Sequence, residues 1–177
     1  MELWDCYDID RNLTGKTMKR GEKIPEGCYH LVVHACVFDS EGRMLIQKRT
    51  ENKIGWPGMW DVTMGGSAVA GETSCMAAKR ELAEETGLDL DFTGVKPALS
   101  INYGRNFDDF YIMRHDCDTG SLKLQAEEVS EVRWAAKDEI HCMIDKGIFI
   151  PYFHSIIDTI FGLNQNENGI DYGSTGK

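Results

Sequence analysis

The chain has 177 residues, 42% of them hydrophobic and 27% charged, with 18 glycines, a composition that suits one soluble globular domain and excludes a fibrous or wholly disordered chain. Its formal net charge of −10 works against a broad electrostatic grip on nucleic acid or an anionic membrane, so an anionic ligand would need metal ions or a few placed basic residues. Six cysteines without a CxxC pair or regular spacing indicate neither a zinc site nor a disulfide framework, and predict reduced thiols in a cytoplasmic protein.

The opening, MELWDCYDIDRN, carries acids where a secretory leader needs a basic start and an apolar core. No later run approaches the roughly 18 apolar residues of a membrane span, so no membrane attachment is expected. Residues 1–28 read as an N-terminal arm, a β-hairpin or two short strands broken at DRN and Gly21, that packs on the main domain and is a candidate homodimer contact. From His30, HLVVHACVF and RMLIQKR flank the turn DSEG and predict a second hairpin, and TENKIGWPGMWD is loop-like because Gly55, Pro57 and Gly58 punctuate it. Trp56 and Trp60 in that loop are expected mainly to pack beneath it.

DVTMGG reads as a short strand leading into a helix that begins near Gly71 to Thr73 and ends at Gly87, a residue suited to a left-handed cap. Strands are predicted over DFTGVKPALSIN, DDFYIMRHD and VSEVRWA, and a helix over Lys137 to Asp145. A last helix opens at Pro151 and carries Tyr152, Phe153, Ile156, Ile157, Ile160 and Phe161 as a core-facing stripe. The main domain then spans 29–163, and the polar residues 164–177 form a flexible tail. Strands joined mostly by hairpins predict a mixed sheet sandwiched by helices, an α/β (α+β) fold, in preference to a doubly wound parallel sheet.

The helix contains RELAEETGL. At 100° per residue, Glu81, Glu84 and Glu85 share a sector of about 100° with the small Ala77 and Ser74, while Cys75, Ala78, Leu82 and Thr86 form a neighbouring face that packs. Like charges at these spacings, near the negative end of the helix dipole, are unfavourable without a counter-charge. Arg80 reaches Glu84 at i+4 but cannot neutralise three carboxylates. A hard divalent cation can, since Mg²⁺ prefers oxygen ligands and is held by one or two carboxylates together with substrate phosphates. Upstream, Gly65 and Gly66 permit close backbone approach and offer carbonyl oxygens, and Glu72 sits at the helix start.

Gly66, Glu72, Arg80, Glu81, Leu82, Glu84, Glu85, Gly87 and Leu88 match the signature of the Nudix (MutT-like) hydrolases at every specified position from 66 to 88, and the chain resembles that family. The resemblance implies a Nudix-type α/β/α sandwich and Mg²⁺ or Mn²⁺ held by Glu81, Glu84, Glu85 and the Gly66 backbone. It further implies that Arg80 and Glu72 orient the loop and helix, and that Glu81 or an acid outside the signature deprotonates a water. Glu127, Glu128 and Glu131 are candidates for that further acid. The implied reaction is hydrolysis of a diphosphate bond in a nucleoside diphosphate or a nucleoside diphosphate linked to another group.

Lys48 and Arg49 are candidate phosphate contacts, and Trp56, Tyr103 and Phe107 candidate contacts to the rest of the substrate. The expected partner is a small diphosphate, with no stable nucleic-acid binding. Two rival readings follow from the same resemblance. His30 to Trp60 is similar to the type I isopentenyl-diphosphate isomerase branch, but Gly65 stands where that enzyme's cysteine would fall and Ser67 where its histidine would. A nucleotide-sensing module without catalysis is the other, disfavoured because the acids are all retained.

Overall fold

The computed structural model describes residues 2–165. In chain order they form β1 (Leu3–Tyr7), β2 (Leu13–Lys19), β3 (His30–Phe38), β4 (Met44–Arg49), β5 (Trp60–Asp61), β6 (Met64–Ser67), α1 (Ser74–Thr86), β7 (Leu99–Tyr103), β8 (Asn106–Arg114), β9 (Val129–Ala135), α2 (Lys137–Asp145) and α3 (His154–Gln165). The mixed sheet expected from sequence is present: β3 pairs parallel with β8 along its whole length and antiparallel with β6. The hairpin expected between β3 and β4 holds only at its turn, where Phe38 opposes Met44. Beyond that point the strands splay, β4 pairing instead with β9 and β5.

Strand alternation divides the interior into two cores, one on each side of the sheet. Leu31, Val33, Ala35 and Val37 of β3 pack with Ala77, Ala78 and Leu82 of α1 and with Phe107 and Tyr111 of β8. On the opposite side Cys36 and Phe38 meet Ile140 and Met143 of α2, Ile157, Ile160 and Phe161 of α3, and Phe110. The result is the α/β/α layering expected from sequence. Among the described residues no helix is long and apolar enough to cross a membrane.

α1 lies where its capping residues place it. The Thr73 hydroxyl accepts from the Met76 amide, and Gly87 ends the helix at φ +76° with its amide donating to the Ala83 carbonyl. α3 starts at His154 rather than at Pro151. The Trp60 amide donates to Ile148 and the Ile150 amide to Trp60, so the chain before Pro151 is drawn to the sheet and the helix opens one turn later. Tyr152 and Phe153 therefore precede the helix; Tyr152 still packs against the core on the α2 and α3 side, as expected, whereas Phe153 is exposed. Of DFTGVKPALSIN only the last four residues are strand, the start of Leu99–Tyr103. The predicted tail falls mostly on residues 166–177, outside the described residues; Asn164 is buried and accepts from Arg114 Nε at 3.0 Å.

β1 and β2 form a separate two-stranded sheet. The expectation that all cysteines are reduced is corrected here: Cys6 is bonded to Cys28, 22 residues away. No spacing pattern signals this pair, because only the bridge between Tyr7 and Tyr29 brings β1 beside the segment entering β3. The arm is also anchored electrostatically. Arg11, at its turn, donates from Nη1 to Asp109 Oδ1 at 3.0 Å and pairs with the other carboxylate oxygen as well. Asp109 is fully buried on β8 and also accepts from the hydroxyls of Ser74 and Ser100.

Candidate active site

A cleft of about 910 Å³ opens on the sheet face opposite α1. Its floor is made of alternate residues on adjacent strands: Ile101 and Tyr103 of β7, Asp108 and Phe110 of β8, and Val32 and His34 of β3. β6 borders this floor with Gly65 and Gly66, and past that edge Glu81, Glu84 and Glu85 of α1 reach the same cleft. The close approach depends on the absence of a side chain at Gly66, where a Cβ would lie 2.5 Å from Glu81 Cδ. Gly66→Ala is therefore expected to keep the fold and displace Glu81. A misplacement of about 1 Å can cost on the order of a hundredfold in rate, so circular dichroism should be unchanged while kcat falls by about that factor.

Arg80 is the hub of the acidic helix. Its Nε and Nη2 donate to Glu72 Oε1 and Oε2 at 2.7 and 2.9 Å, Nη2 also donates to the Ser67 carbonyl at 3.2 Å, and Nη1 faces Glu81 and Glu84 at 3.1 and 3.0 Å. Glu72 in turn accepts from the Val69 amide at 3.0 Å, tying the loop before α1 to the helix. These hydrogen bonds hold the Glu72 carboxyl below the usual carboxylate range, while burial pushes that of Glu81 up against the pull of Arg80.

The three acids differ in setting. Glu84 is half exposed at 52% side-chain accessibility. Glu85, placed by helical geometry outside the face expected to pack, is buried: it accepts from Gln47 Nε2 at 2.9 Å and from Lys53 Nζ at 3.0 Å, and burial raises its pKa. Lys53 also pairs with Glu128. Ala77, placed on the same sector by helical geometry, lies in the core as well. The acidic sector thus faces the sheet edge and the cleft.

Among the described residues no three His, Cys, Asp or Glu side chains are already gathered around a common point: Glu81 and Glu84 share Arg80 Nη1, while Glu85 is engaged by Gln47 and Lys53. The donor set nonetheless fits a hard divalent cation. It consists of carboxylate oxygens and a glycine backbone, two of the acids are buried carboxyls that gain from a counter-charge, and all border one cleft.

The other predicted contacts separate. Arg49 lines the cleft, held by the carbonyls of Gly55 and Ile54 at 3.1 and 3.4 Å and lying 3.6 Å from Asp61. Trp56 and Tyr103 line it too, Trp56 half exposed in contrast to the expected packing role, whereas Trp60 is buried beneath Arg133 as expected. Glu128 borders the cleft. Lys48 and Glu131, opposite one another on β4 and β9, do not line it. Glu127 is exposed and also off its lining. Phe107 is a core residue on the α1 side, with the Arg11 guanidinium over its ring.

Sequence reasoning missed several polar residues that line the cleft. Tyr152 donates to buried Asp61 at 2.9 Å beside His34. His34 stacks on Phe110 at 4.3 Å and is lowered by burial to about 4, so it is neutral at physiological pH. Asp108 is raised by burial, reinforced by Asp109, to about 6. Their signal in the sequence is a histidine inside the apolar run HLVVHACVF and the acid pair inside FDDFYI. At the position of the isomerase's cysteine, a side chain on Gly65 would meet His34 Nδ1 at 3.3 Å. Cys75 lies away on the α1 core, its Sγ 3.5 Å from the Phe92 carbonyl.

A model of the NUDIX domain matches residues 29–152. The Nudix hydrolase lmo0368 of Listeria monocytogenes is 44% identical over 165 residues, covering 93% of this chain and 96% of its own. Nudix hydrolase 3 of Arabidopsis thaliana is 33% identical over 167 residues, 85% of this chain but 22% of that longer protein. Among solved structures, DR0079 from Deinococcus radiodurans superposes with a TM-score of 0.70 at 22% identity, over 84% of this chain and 91% of its own. A MutT protein from Methanosarcina mazei Go1 does so at 0.61 and 23%, over 84% and 99%.

Proposed function

This chain belongs to the Nudix family, and from that premise we propose that it is a metal-dependent hydrolase. It would cleave the diphosphate bond of a nucleoside diphosphate, free or linked to another group, by attack of water at phosphorus. The observation that carries this reading is the meeting of Glu81, Glu84, Glu85 and the Gly66 backbone at one edge of a cleft that also holds Arg49, Lys53 and Arg80.

Glu81, Glu84, Glu85 and the Gly66 carbonyl would hold Mg²⁺ or Mn²⁺, which supplies neutralisation of phosphate charge and acidification of a water. Arg80 and Glu72 keep α1 and its preceding loop in register, a positioning role. Glu81, with a raised carboxyl, is suited to take the proton of the attacking water. Glu128 is the cleft acid outside α1 available for the same task. Arg49 and Lys53 present positive charge to the phosphates, Lys53 exchanging its carboxylate partners for them. A small-molecule partner is part of the proposal, whereas the Cys6–Cys28 disulfide removes the reduced-thiol argument for a cytoplasmic location.

The test is a hydrolysis screen over nucleoside diphosphates, triphosphates, nucleotide sugars, dinucleotides and isopentenyl diphosphate, with Mg²⁺ and with chelator. Phosphate-bond cleavage that disappears with chelator and returns with Mg²⁺ is expected. Isomerisation of isopentenyl diphosphate without phosphate release would contradict the assignment.

A further inference from the structure

The turn that carries Glu72 is completed by the N-terminal arm. Residues 69–72 close on themselves through the Glu72 amide, which donates to the Val69 carbonyl at 3.0 Å, with Gly71 third in the turn at φ +89°. The Val69 amide donates back to Glu72 Oε2 at 3.0 Å. Both remaining amides are taken by β1: that of Ala70 donates to the Leu3 carbonyl at 2.8 Å, and that of Gly71 to Asp5 Oδ2 at 2.7 Å. Every backbone donor of the turn is thus accounted for, two of them by a strand far off in the chain. Hydrogen bonds to an ionised carboxylate are roughly twice as strong as neutral ones.

Asp5 is held between anchored neighbours. It opposes Thr17 in the register of β1 with β2, Cys6 beside it is bonded to Cys28, Tyr7 bridges to Tyr29, and the Trp4 ring stacks on His30 with centroids 4.2 Å apart. The arm also grips the far side of the turn, since Arg11 pairs with Asp109 and Asp109 accepts from the hydroxyl of Ser74, the first residue of α1. Beyond the turn the bonds run on without a gap. Glu72 receives Arg80 Nε and Nη2, and Arg80 Nη1 faces Glu81 and Glu84.

We infer that Asp5 is a positioning residue of the candidate active site. Through the Gly71 amide its carboxylate sets the turn that aims Glu72 at Arg80, and so fixes where Glu81 and Glu84 stand. It contributes no ligand itself. The inference rests on the reading of the α1 acids as a metal site, and it makes the N-terminal arm a working part of that site.

The test compares Asp5→Ala, which removes the acceptor, with Asp5→Asn, which removes the charge and keeps an oxygen for the Gly71 amide. In the metal-free protein the Arg80 Nε–H resonance reports the bond to Glu72 Oε1; it should lose its protection from solvent exchange in Asp5→Ala and keep it in Asp5→Asn. Mn²⁺ affinity, followed by electron paramagnetic resonance, should fall about tenfold in Asp5→Ala, the low end of what loss of a ligand-orienting partner costs, and return to within about twofold of the wild type in Asp5→Asn. A lowered melting temperature in Asp5→Ala with the Arg80 signal and Mn²⁺ affinity unchanged would show a merely structural residue and overturn the inference. Equal losses in both variants would also overturn it, by tracing the effect to charge instead of to the bond. If the wild type takes up no Mn²⁺, the metal reading fails by itself and the Arg80 signal decides the positioning role.

Discussion

Glu84→Gln and Glu85→Gln are each expected to lower kcat roughly a thousandfold, the upper end of what removal of one electrostatic stabiliser of a transition state costs. The two variants test the site from opposite surroundings. Glu84 is half exposed and paired only with Arg80, and surface pairs of this kind contribute on the order of 0.2–1 kcal/mol, so loss of turnover in Glu84→Gln cannot be assigned to unfolding. Glu85 is buried between Gln47 and Lys53. Glutamine keeps its volume there and removes a charge, and Lys53 retains Glu128 as a partner. Steady-state rates beside thermal melts check both; wild-type rates in either variant would remove that residue from the metal set.

The largest effect on stability is expected at Arg11→Met. Asp109 has no solvent exposure and its guanidinium partner comes from the N-terminal arm. Breaking a buried pair by removing one partner typically costs about 3–5 kcal/mol, because the remaining charge stays buried and uncompensated. Arg11 is itself one-third exposed, and the hydroxyls of Ser74 and Ser100 still donate to Asp109, which places the expected loss near 3 kcal/mol. For a chain of this length that corresponds to a fall in Tm of roughly 6–12 °C. Adding Asp109→Asn should restore much of the loss by removing the stranded charge. A variant as stable as the parent would show that the arm does not anchor the domain.

What was legible in the sequence was local. α1 could be bounded to within a residue or two because Thr73 and Gly87 cap it through bonds to their own neighbours, and β3, β8 and β9 follow from β-branched and aromatic runs. Features fixed by distant partners were not legible. The parallel pairing of β3 with β8 joins segments about 75 residues apart, and the late start of α3 depends on Trp60 capturing the chain around Phe149. The Cys6–Cys28 bond depends on where β1 docks. Helical geometry placed Glu81, Glu84 and Glu85 on one sector, but the burial of Glu85 comes from Gln47 and Lys53 on other segments. His34 and Asp108 carry no motif, and only the strand register puts them on one face.

The most direct measurement is Mn²⁺ binding followed by electron paramagnetic resonance, on the wild type and on Glu85→Gln, alongside hydrolysis of the best substrate from the screen. The account predicts that the wild type takes up Mn²⁺, that Mg²⁺ competes it off, and that Glu85→Gln weakens uptake and turnover together. Full turnover by the wild type in excess chelator, with no Mn²⁺ bound in the presence of substrate, would contradict it.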